Sequence, residues 1–85
     1  MNIKAMHFDE LIMAINRNVQ DKSTVQEIAK ELRRRTGEMS NVELISKIES
    51  VAADRAREKS IASDAFYATK LNTLENEALR RMGCR

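Results

Sequence analysis

The 85-residue chain has no proline, no tryptophan, two glycines, one cysteine and one histidine. Without proline, and with so little glycine, it has neither a Pro-rich linker nor a glycine loop to cradle phosphate. One tyrosine and two phenylalanines make no platform on which bases could stack. A lone Cys84 cannot close an internal disulfide, and one histidine with one cysteine cannot assemble a structural zinc site. Asp54, Glu58 and Asp64 lack the spacing of a calcium loop, so neither a metal nor any other cofactor is expected. No apolar run approaches the roughly 20 residues a bilayer span needs. The opening MNIKAMHFDE lacks the basic, apolar and small-residue segments of a secretory signal. The expectation is a cytoplasmic protein with no membrane partner. Charge of one sign is scarce too: 15 Lys and Arg against 13 Asp and Glu leave +2, too little to make a polycation.

What is present is helix. Phe8, Leu11, Ile12, Ile15 and Val19 recur at spacings of three and four, which predicts a first helix over about residues 4–20. Ser23 with Gln26, and Thr24 with Glu27, have the spacing of a capping box and predict a second helix over about 24–36. Arg33, Arg34 and Arg35 in its last turn suit the helix dipole, and Gly37 suits a left-handed cap. Ser40 with Glu43 repeats the capping-box spacing just before Val42, Leu44, Ile45, Ile48 and Val51, predicting a third helix over about 41–58. Tyr67, Leu71, Leu74, Ala78 and Met82 form a last stripe over about 61–82. The stretch ADRAREKS between these two holds neither glycine nor proline. It reads either as a bend within 55–60, with Ser60 as a cap, or as continuous helix about 60 Å long at 1.5 Å per residue. The bend is favoured. The expected fold is therefore all-α: one domain over 1–85, a small bundle of three to four helices, oligomeric because larger apolar residues are few once the ten alanines are set aside.

Residues 23–48 resemble a helix-turn-helix: two capped helices, a turn containing Gly37, and Ala29 where a small residue permits close packing. Gly37 lies eight residues after Ala29 where the usual motif has four. The resemblance implies Arg33, Arg34 and Arg35 on phosphate, with Asn41, Glu43, Ser46 and Lys47 meeting bases. Charge elsewhere reads as solvated faces, since Glu31 to Arg35, Glu43 to Lys47 and Glu77 to Arg81 have the i,i+4 spacing of exposed pairs. His7 beside Asp9 and Glu10 has no nucleophile or anion-stabilising loop near it, so no catalytic residue and no small-molecule substrate are assigned. Phe66, Tyr67, Leu71, Leu74 and Met82 carry more apolar surface than one short neighbour covers, which points to a protein partner. The sequence thus suggests a non-enzymatic binding protein (a regulator, adaptor or inhibitor) that meets itself or another protein, with a DNA-binding regulator as the alternative.

Overall fold

The computed structural model describes residues 2–58 and 60–83, the side chain of Ala62 excepted. A 3-10 turn over Ile3–Ala5 precedes four helices: α1 (Phe8–Arg17), α2 (Lys22–Gly37), α3 (Asn41–Arg57) and α4 (Ile61–Arg81). No strand occurs among the described residues, and none of these helices is long and apolar enough to cross a membrane.

The all-α expectation holds, and the differences lie at the helix ends. The first helix is shorter than 4–20 because Met6 and His7 are extended, with ψ of 146° and 159°. The 3-10 turn is thereby cut off from α1. Glu10 completes the start of α1 by accepting from the His7 backbone N–H at 3.0 Å. At the other end the Asn18 side-chain amide donates to the Ala14 carbonyl at 2.7 Å, closing the helix before Val19. The cap of α2 is Asp21, not Ser23 or Thr24. Its carboxylate accepts from the Thr24 N–H at 3.2 Å and the Thr24 hydroxyl at 2.7 Å. An ionised acceptor near the positive end of a helix outcompetes a hydroxyl, and the same bonds hold the Asp21 pKa below its ordinary value.

Gly37 is also a correction. It ends α2 in ordinary helical geometry, and the one glycine at positive φ is Gly83, at 79°. The α3 capping box is as expected: Ser40 Oγ accepts from the Glu43 N–H at 3.1 Å, and Glu43 accepts from the Ser40 N–H at 3.3 Å. Glu58 then leaves the helix with ψ of 126°, and Ser60 Oγ caps α4 by accepting from the Ser63 N–H at 3.1 Å. The last stretch is therefore two helices with a bend. A radius of gyration of 12.8 Å, near the roughly 12 Å of a folded domain of this length, leaves no room for a protruding 60 Å rod.

Packing follows from the stripes. Leu11, Ile12 and Ala14 of α1 meet Ile28 and Leu32 of α2 in one buried cluster. Leu44 and Val51 of α3 meet Leu74 of α4 in a second. Phe8 packs against both clusters and joins them. Each buried Leu or Ile contributes about 2 kcal/mol of transfer free energy. Helix α4 is the hub, in contact with α1, α2 and α3.

Candidate functional site

The candidate nucleic-acid residues are largely engaged within the protein. Arg34 grips the Glu31 carboxylate through Nε and Nη2 at 3.1 and 2.7 Å, and reaches Glu38 through Nη1 at 2.9 Å. Arg35 donates to Glu31 at 2.7 Å and to the carbonyls of Ile3 and Lys4 at 3.3 and 3.1 Å. Asn41 Oδ1 accepts from Arg81 at 2.7 Å. Arg33 and Lys47 are exposed, with no carboxylate partner among the described residues. Within ADRAREKS, Arg55 pairs with Asp64 of α4 at 2.8 Å and Arg57 pairs with Asp54. Cys84 lies outside the described residues. His7, 91 % exposed in its side chain, lies 3.9 Å from the Glu10 carboxylate, and no group of three or more metal-binding side chains occurs among the described residues.

The aromatic and aliphatic candidates of α4 divide by depth. Leu74 is fully buried, and Phe66, Tyr67 and Leu71 are half-buried against the core clusters. Phe66 and Tyr67 meet edge to face with centroids 5.2 Å apart, and Lys70 Nζ sits 5.6 Å over Phe66 while pairing with Asp9 at 2.7 Å. Much of the stripe that sequence assigns to a partner is thus spent on the interior. Met82 alone of the five stands out, at 69 % exposure.

Two glutamates taken for exposed partners are nearly sealed: Glu31 keeps 6 % of its surface and Glu77 5 %. Each stands three and four residues before a pair of arginines. Arg80 and Arg81 hold Glu77, Arg81 at 2.7 Å, as Arg34 and Arg35 hold Glu31. The arginines favour the ionised form, and both glutamate pKa values fall from 4.5 to about 2. The second arginine of each pair then reaches across to another segment. Arg81 donates to the carbonyls of Thr36 and Met39 at 3.0 and 2.6 Å. Only burial separates this Glu-x-x-Arg-Arg pattern from an ordinary surface pair, so spacing alone could not find it. Glu43, by contrast, is used by its cap rather than by Lys47.

Through Arg81 the end of α4 is fixed against the start of α3, and four large apolar side chains gather there in solvent. Val42 is 78 % exposed, Ile45 56 %, Leu79 44 % and Met82 69 %. At 100° per residue, Ile45 and Val42 lie about 100° and 160° round α3 from Leu44, and Met82 and Leu79 about 80° and 140° round α4 from Leu74. Leu44 and Leu74 face each other in the core. In an antiparallel pair, equal rotations from the facing residues lead to the same flank. Ile45 and Met82 therefore stand on one flank of the α3–α4 hairpin, on the side of α4 away from Glu77, and Val42 and Leu79 turn outward at its two edges. Half-buried Ile48 and Leu71 line its inner edge, and exposed Glu49 and Glu75 stand on it. A sequence cue existed, since Val42 and Ile45 fall off the Leu44–Ile48–Val51 stripe.

No protein-family model matches the chain, and no curated protein or solved structure matches it either.

Proposed function

We propose that this protein is a small non-enzymatic helical binding protein, a regulator, adaptor or inhibitor, that acts by protein–protein contact through the outer flank of the α3–α4 hairpin. The observation that carries this reading is the exposure of Val42, Ile45, Leu79 and Met82, which helix geometry places at one end of the α3–α4 hairpin. Single exposed apolar side chains are ordinary, but four at one end of a helix pair, with acids beside them, have the make-up of an interface core and rim. Two copies apposed on this flank stack two helix pairs face to face, the arrangement of a four-helix bundle. Self-pairing is accordingly the first form of contact to test. The helix-turn-helix alternative has less to stand on, because Arg34, Arg35 and Asn41 already serve intramolecular contacts.

The test is mass by light scattering over a concentration series, for the natural chain and for Ile45→Asp. A dimer that falls to a monomer in the variant is the expected result. A natural chain still monomeric at about 100 μM, where typical weak pairs have formed, rules out self-pairing. Affinity capture with the natural chain and with Ile45→Asp as baits then asks for another protein. Equal capture by both overturns the assignment of this flank.

A further inference from the structure

A cleft of about 140 Å³ opens between α2 and α4 on the side of the molecule away from the flank. Its floor is apolar, made by Ile15, Ala29 and Leu32, and its rim carries Arg33, Asn76 and Arg80. The volume is close to that of an engineered cavity that takes benzene, so a ligand of about seven heavy atoms fits. Arg33 has no carboxylate partner among the described residues. The Asn76 side chain is exposed and has no hydrogen-bond partner among them. Arg80 spends Nε and Nη2 on Glu77, which leaves Nη1 to donate elsewhere. Glu77 is the one acid lining the cleft. It is held by Arg81, from outside the cleft, as well as by Arg80, so its charge is already answered and Arg33 makes the rim cationic.

We infer that this cleft binds a small aliphatic carboxylate, with its anion against the Arg33 and Arg80 guanidiniums and the Asn76 amide and its hydrocarbon chain on Ile15, Ala29 and Leu32. Two arginines suit a planar carboxylate, to which guanidinium donates in pairs. The apolar floor distinguishes an alkyl carboxylate from a bare anion. This site is separate from the α3–α4 flank, and either can stand without the other.

The probe is sodium pentanoate, titrated into the ¹⁵N-labelled full chain and followed by amide chemical shifts. Pentylammonium serves as the charge-reversed control and inorganic phosphate as the tail-less one. For a ligand of this size the expected Kd is about 1 mM, with shifts confined to amides around Ala29, Arg33, Thr73 and Asn76. Arg33→Gln, an exposed change that leaves the core alone, is expected to weaken pentanoate about tenfold through loss of a charge-assisted contact. Ala29→Leu, which fills the floor, is expected to abolish pentanoate binding while the helical circular dichroism is retained. Phosphate shifting the same amides as strongly as pentanoate overturns the inference, because the site is then only a surface cation pair. So does a pentanoate affinity left unchanged by Arg33→Gln, or the absence of any localised shift at about 20 mM, some twenty times the expected Kd. If Ala29→Leu fails to fold, the Arg33→Gln and pentylammonium results decide.

Discussion

The Glu31 and Glu77 clusters are built from the same five-residue pattern, yet they fasten different things. At Glu31 the reaching arginine, Arg35, holds the carbonyls of Ile3 and Lys4, a turn that contributes no residue to the buried core. At Glu77 the reaching arginine, Arg81, holds Thr36, Met39 and Asn41, the junction through which α1–α2 connects to α3–α4. Identical local chemistry therefore has unequal structural reach. The lesson concerns location: a buried ion pair matters through the segment whose carbonyls it occupies, more than through its own Coulomb attraction, which desolvation largely offsets.

Acid titrates both clusters at once and is the most damaging perturbation. Both glutamates have pKa values of about 2 in the folded protein against 4.5 ordinarily. Because the folded values are depressed, their contribution is complete above about pH 4.5 and is lost as pH falls toward 2. Melting temperature should drop steeply across that window, and the Glu31→Gln, Glu77→Gln double variant should show a flatter dependence there. Equal slopes for the two proteins would show that other carboxylates, such as Asp64 beside Arg55, carry the acid sensitivity.

Single substitutions sharpen the contrast between the clusters. Arg81→Ala frees two carbonyls and half of the hold on Glu77, and should cost about 2 to 3 kcal/mol. Arg35→Ala should cost about 1 kcal/mol, because a short terminal turn can fray into water at little further expense. Urea denaturation of the two variants measures both, and the reverse order would sink the argument from location. Smaller still is the effect at Gly37, beside the junction. A Cβ there meets nothing within 4 Å, and the residue has ordinary helical φ. Gly37→Ala should stabilise by about 0.5 to 1 kcal/mol, whereas Gly83→Ala, at φ of 79°, should destabilise by about 1 kcal/mol.

Local signals in the sequence read well, and depth did not. Ser40 caps where its spacing to Glu43 places it, and Ser60 caps at the favoured bend, because a cap is settled within four residues. Asp21 displaced Ser23 for an equally local reason that a search for hydroxyl caps passes over. Gly37 misled because composition marks where a helix ends but not the hand of its last residue. The apolar stripe of α4 gives the direction of Leu74 and Met82 but not which of them α3 will cover, since that depends on a helix some thirty residues earlier. Glu31 and Glu77 were misplaced for the same cause: i,i+4 spacing is identical whether water or Leu32 stands beside the pair. The α3–α4 flank needed the register of two helices at once, which no single-helix pattern contains.

The position of α4 as hub has a consequence for the order in which the chain is made. Synthesis delivers α1 and α2 first, and their shared cluster of Leu11, Ile12, Ile28 and Leu32 can close while the rest is still being translated. Helix α3 emerges next with its main partner not yet made, so Leu44, Ile48 and Val51 stay wet until Leu74 has left the ribosome. During that interval the same apolar residues lie open along α3 with Val42 and Ile45 beside them. The nascent chain therefore passes its most adhesive moment between the third helix and the fourth, and a chaperone that meets it then meets α3.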